Sequence, residues 1–123
     1  MRRVPCVNAS RRPLPILAIE TLGYVGVAVW AVLIVRTWIH DPAAGWWVTI
    51  IGVILAAAHV IISTGAARRA RIVLPVMWFV LVADALLTVL VDMRALVLVL
   101  ATVALLLLAR TSAARAWWSA PAP

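Results

Sequence analysis

Residues 72–91 read IVLPVMWFVLVADALLTVLV, an apolar run broken by a single charge. A helix of that length, at ~1.5 Å per residue, matches the ~30 Å hydrocarbon core of a bilayer. The one discordant residue is Asp84. A charge at the centre of a lipid-embedded helix costs on the order of 2.5–3.5 kcal/mol on insertion scales. Reading this segment as a membrane span decides the class of the whole chain.

Three further apolar runs flank it, over 16–35, 48–67 and 95–109. The last is short, but Arg94 and Arg110 at its ends can snorkel toward water. Of the 123 residues, 67% are hydrophobic and the mean hydropathy is +1.13. Soluble domains hold about 45–50% apolar residues, so an excess of this size on so short a chain belongs in lipid. The links over 36–47, 68–71 and 92–94 are brief and force antiparallel neighbours. The expected fold is therefore all-α, a polytopic integral membrane four-helix bundle running up-down-up-down. A basic tail over 1–15 precedes it, and a tail over 110–123 is expected to be basic, then aromatic, then frayed.

The net charge of +7 comes from eleven arginines, no lysine and four acids. In a soluble protein that balance would suggest nucleic acid. Here the arginines sit between apolar runs, where they orient helices, and no nucleic-acid partner is expected. Nine of the eleven fall in the N-terminal tail (Arg2, Arg3, Arg11, Arg12), the second link (Arg68, Arg69, Arg71) and the C-terminal tail (Arg110, Arg115). By the positive-inside rule both termini are cytoplasmic. Trp38, Trp46 and Trp47 then form an outer aromatic belt, and Trp117 and Trp118 an inner one. Arginine without lysine, beside abundant alanine and valine, suggests a GC-rich bacterial genome and so a bacterial cytoplasmic (inner) membrane. The stretch SRRPLPI from Ser10 is similar to part of a twin-arginine export signal. The long run behind it, Glu20 and the lack of a small-x-small cleavage site favour a retained first helix. Cys6, alone, forms no internal disulfide. The two helix pairs share no residue-level repeat.

Three residues need a reason to be in lipid: Glu20, His59 and Asp84. Thr49, Gly52, Ala56, His59, Ser63 and Ala66 follow spacings of three and four, a continuous small and polar stripe on helix two. Gly23 shares a face with Glu20, Thr88 lies one turn from Asp84, and Thr102 lies near the depth of Asp84. Small residues allow backbones to approach, and Ser, Thr and His hydrogen-bond across helices. Two readings follow. In the first, weighted ahead, these groups pin helices: Ser63 or Thr64 satisfies Glu20, and Thr102 or His59 satisfies Asp84. In the second, Asp84, His59 and Glu20 form a proton or cation path at successive depths. A third possibility pairs one acid with a basic residue on another subunit. Arg36, His40 and Asp41 read as an interfacial anchor and helix stop, in preference to an ion-attracting vestibule. Asp92 and Arg94 are expected to neutralise each other in a tight turn.

No paired carboxylates, Cys/His arrangement or glycine-rich phosphate loop occurs, so neither an enzyme nor a cofactor or metal site is expected. In length and in its first-helix acid, Glu20, the chain superficially resembles the small multidrug exporters, which would imply a dimeric exporter. Their glutamate lies deeper, among helix residues that do not occur in this sequence. Its four spans, basic inner hairpin and helix-three acid also look like small membrane proteins of phages and prophages, including holins and exclusion channels. That likeness would imply membrane depolarisation. The leading expectation is an accessory or interaction subunit acting through helix association, as a homo-oligomer or with a membrane protein partner. An oligomeric proton or ion conductor comes second and an exporter third.

Overall fold

A computed structural model describes residues 11–121; Arg2, Arg3 and Cys6 lie outside the described residues. The elements are α1 (Leu14–His40), α2 (Pro42–Ala67), α3 (Val73–Leu90), a 3-10 turn (Met93–Ala95), α4 (Leu96–Ala109) and α5 (Ser112–Ser119). No strand occurs among the described residues. Three helices, α1 to α3, are long and apolar enough to cross a membrane. The bent unit Met93–Ala109 plus Ser112–Ser119 would make a fourth span.

The expected link over 36–47 is almost entirely helical. Nothing before Pro42 breaks α1, and nothing after it breaks α2, so the chain reverses at Asp41 alone. Proline lacks an N–H and disfavours helical geometry in the residue before it. Asp41 accordingly sits at φ −146°, ψ 80°, and its Oδ1 accepts from the Ala44 N–H at 3.3 Å. The acid thus caps α2, with Pro42 at the first helical position.

The helices α1 to α4 close a ring. Each touches its chain neighbour, α4 returns to α1, and neither diagonal pair is in contact. The α1–α2 contact is much the most extensive. Its closeness rests on two glycines. A Cβ built on Gly23 would lie 2.0 Å from Ser63 Oγ and 3.0 Å from the His59 carbonyl oxygen. One built on Gly26 would lie 2.1 Å from His59 Cδ2. Ile16, Ile19, Leu55, Ile62, Val73, Met77, Val80 and Leu105 fill the interior. Large apolar residues such as Val32, Val53, Phe79, Val97 and Leu107 face outward, an arrangement suited to lipid.

At the end carrying the termini, the chain leaves α2 through a left-handed residue. Arg69 has φ 58°, Ala70 N–H donates to Gly65 O at 2.9 Å, and Arg69 N–H donates to Ala66 O at 3.4 Å. This is the Schellman closure, usually made by glycine; for arginine the conformation costs roughly 1–2 kcal/mol. The side chain supplies the compensation. Its guanidinium stacks 4.0 Å from the Trp117 ring centre, and it donates to the Pro121 carbonyl. Trp117 Nε1–H in turn donates to Ala66 O at 2.9 Å, satisfying a carbonyl at the end of α2. The basic and aromatic part of the C-terminal tail is thus a helix over Ser112–Ser119. Thr111 caps it, it bends 66° away from α4, and Trp117 ties it to the last turn of α2. Its signal is an amphipathic pattern too short to stand out beside the apolar runs.

Two outcomes test this packing. Gly23→Val gains only a few tenths of a kcal/mol in helix propensity, whereas overpacking typically costs about 1–3 kcal/mol. The protein should therefore melt at lower temperature in detergent, and an unchanged melting curve would refute the close seam. Arg69→Gly relaxes the backbone but removes the stack. Trypsin should then cut faster after Arg115 while thermal unfolding of the remaining helices stays nearly constant.

Candidate functional site

The side chain of Asp84 is buried at 1% exposure, between α3 and α4. Thr102 Oγ1–H donates to its Oδ2 at 2.8 Å and also approaches Leu98 O at 3.0 Å. A hydroxyl has one hydrogen to give, so the carboxyl shares it with the helix backbone. The other oxygen, Oδ1, is buried and has no hydrogen-bond partner. The Trp30 indole N–H on α1 is likewise buried and unpartnered. Buried polar atoms are nearly always paired; Arg69 Nε and Trp118 Nε1 at the basic end are also unpartnered, but Asp84 Oδ1 is the one carboxylate oxygen in this position among the described residues.

His59 lies on α2, buried against Gly26, within electrostatic range of Asp84. Its Nδ1 is 2.7 Å from Leu55 O, which assigns the proton to Nδ1 because a carbonyl only accepts. One turn further, Ser63 Oγ–H donates across to the Glu20 backbone carbonyl at 2.9 Å. The hydroxyl therefore ties α2 to α1 but does not reach the Glu20 carboxylate. That carboxylate pairs instead with Arg12, whose Nη1 lies 2.7 and 2.8 Å from its two oxygens. Thr64 Oγ1–H turns back to Val60 O, and Thr88 Oγ1–H to Asp84 O, each within its own helix. Gly52 is buried under Ile34 and Trp30, and Ala56 packs at the edge of the core.

The structure therefore divides the candidate residues into two sets. Asp84 and Thr102 form a hydrogen-bonded interior pair, and His59 is buried separately on α2, against Gly26. Glu20 belongs, with Arg12, to the basic end, where Arg11, Arg68, Arg69, Arg71, Arg110 and Arg115 also lie. The depth count places Glu20 about a turn inside the span, but the long Arg12 side chain reaches it across eight residues, a contact no count of rises could show. Among the described residues no three metal-ligating side chains come together.

At the opposite end a cavity of about 650 Å³ opens between the α1–α2 hairpin and the α3–α4 hairpin. Trp30, Ile51, Leu87 and Leu98 are its lining residues farthest from the chain reversals on their four helices; Arg36, Asp41, Asp92 and Arg94 lie beside the two reversals. Asp84 is three residues from Leu87 and Thr102 is four from Leu98, so the buried acid lies about one helical turn below this floor. Sequence spacing could not reveal the cavity, because its walls come from two hairpins. Asp92 does not pair with the Arg94 side chain: its Oδ1 accepts from the Arg94 backbone N–H at 2.8 Å, capping the 3-10 turn.

Fold and site together define a small all-helical protein with three to four helices suited to a multi-pass membrane arrangement. Compared with protein-family models, curated proteins and solved structures, the chain gives no match.

The Thr102–Asp84 contact is testable against its neighbour. Thr102→Val leaves the second carboxyl oxygen without its donor, at a cost of roughly 1–3 kcal/mol. Thr88→Val removes only a bond within the helix and should cost about 0.5 kcal/mol or less. Thermal unfolding of the two variants in the same detergent reads the difference, and equal losses would mean that Thr102 does not serve Asp84.

Proposed function

We propose that the chain is a four-span protein of the bacterial cytoplasmic membrane, basic end inward, that binds and passes protons through Asp84. The observation carrying this reading is the unpartnered Asp84 Oδ1, buried in the bundle one turn below a cavity that opens at the end opposite the arginine-rich one. Intramembrane acids and histidines are the usual proton-relay groups. Thr102 fixes one carboxyl oxygen and leaves the other to exchange a proton with water entering from the cavity. His59 is the next titratable group in reach, and Ser63 continues the polar seam toward the Arg12–Glu20 pair. The arginine distribution supports the orientation.

Proton flux into proteoliposomes loaded with a pH-sensitive dye tests the proposal. Asp84→Asn keeps an amide oxygen to accept from Thr102, so the bundle is retained while the proton site is lost. Its flux should fall at least about tenfold, a change of about 1.4 kcal/mol in barrier. Equal flux through the wild-type and variant proteins would remove Asp84 from any path.

One observation favours a second reading, in which the protein works by associating with another membrane helix. An apolar groove of about 340 Å³ between α2 and α3, lined by Ile51, Ile54, Phe79, Ala83, Leu86 and Leu90, is open to the surroundings. Purification in mild detergent as a clean monomer, with no co-purifying protein, would count against it. An exporter centred on Glu20 draws no such support, because Arg12 holds that carboxylate at the basic end.

A further inference from the structure

The cavity mouth carries four charges in an arrangement that the proton-site reading does not use. Arg36 and Asp41 come from the α1–α2 hairpin, and Asp92 and Arg94 from the α3–α4 hairpin. Each side of the opening therefore presents one cation and one anion. All four are exposed, and two cations and two anions lining one opening offer several ion pairs. Yet the sole ion pair among the described residues is Arg12–Glu20, at the other end of the molecule. The two acids spend one oxygen each on backbone caps, Asp41 on Ala44 and Asp92 on Arg94. Neither guanidinium hydrogen-bonds to any side chain or carbonyl among the described residues. His40 and Thr37 also line the opening, and beyond them the wall becomes apolar through Leu33, Val48 and Ile51 to Trp30.

A charged ring of both signs above an apolar shaft has a definite chemical complement. Ligand pockets commonly measure about 300–1,000 Å³, mostly apolar with a few polar groups that fix orientation; this cavity falls in that range. We propose that it binds a small amphipathic zwitterion. The ligand's ammonium group lies at Asp41 and Asp92, its acid group at Arg36 and Arg94, and its apolar part points down the shaft toward Trp30. Arginine's planar fork suits a carboxylate or phosphate. A ligand carrying only one charge would meet one pair of residues and gain nothing from the other pair, which stays exposed. The binding chemistry is the same whether the zwitterion is free, such as an apolar amino acid, or is the head of a phosphatidylethanolamine whose chains enter the shaft. This inference goes beyond the proton-site reading and is read out by binding, so the two fail separately.

Calorimetric titration of the purified full chain in a non-ionic detergent tests it. The probes are L-phenylalanine for the free source and dihexanoylphosphatidylethanolamine for the lipid source. 2-Phenylethylamine and 3-phenylpropionate serve as single-charge controls. At least one zwitterion should bind with a Kd on the order of 1 mM or tighter, and the single-charge analogues at least about tenfold more weakly. Whichever zwitterion binds identifies the source. Arg36→Gln with Arg94→Gln should abolish binding, and so should Asp41→Asn with Asp92→Asn, since asparagine still caps. Removing arginines from the outward end does not oppose the positive-inside rule. No binding of either zwitterion, equal binding of the single-charge analogues, or undiminished binding by folded charge variants would each overturn the proposal. The analogue series uses the unaltered protein, so the test holds even if a variant fails to fold.

Discussion

Two glycines set how near α1 and α2 can run, and most of the interior depends on that distance. With Gly23 under Ser63 and Gly26 under His59, the helices meet at a spacing that any Cβ would prevent. In lipid there is little hydrophobic gain in bringing two apolar helices together, so close backbone packing and interhelical hydrogen bonds supply the association. The seam provides both. Its consequence is that His59 and Ser63 are buried within the bundle, Ser63 nearer the basic end at the Glu20 backbone.

The second hairpin is held differently. Its one interhelical hydrogen bond between side chains joins Thr102 to Asp84, and it leaves half of the carboxyl group without a partner. A fully paired Asp84 would be a structural pin and nothing more. A half-paired one keeps an acceptor for a proton or for water, and it does so next to a cavity. Measured interhelical polar contacts average only ~0.6 kcal/mol, well below the cost on the order of 2.5–3.5 kcal/mol for a charge at mid-membrane. Stability alone therefore gives a weak reason for this residue.

The two ends of the bundle are closed to different degrees. At the basic end, Trp117 ties α5 to the last turn of α2, Arg69 stacks on Trp117, and Arg12 neutralises Glu20. At the Asp41 end, the hairpins part and four charges line the opening without forming an ion pair among the described residues. From that end inward come the cavity, then Trp30, then the level of Asp84. The polar groups beyond are His59 and Ser63, and the carboxylate nearest the basic end is already engaged.

Asp84 and His59 were visible in the sequence because lipid makes a polar side chain conspicuous, and Thr102 because helical rise fixes depth. The periodic apolar runs and the arginine spacing likewise carried the all-helical class and the long apolar helices, since backbone groups in hydrocarbon must be satisfied within each segment. Partner choice was a different matter. Nothing in the spacing of Glu20 said that Arg12 would reach it ahead of Ser63, nor that Asp41 alone would turn the chain, nor that residues 112–119 would fold as α5 under Trp117. Long side chains and short amphipathic helices take their positions from neighbours distant in sequence. The cavity, with two walls from each of two hairpins, exists only once the ring of helices has closed.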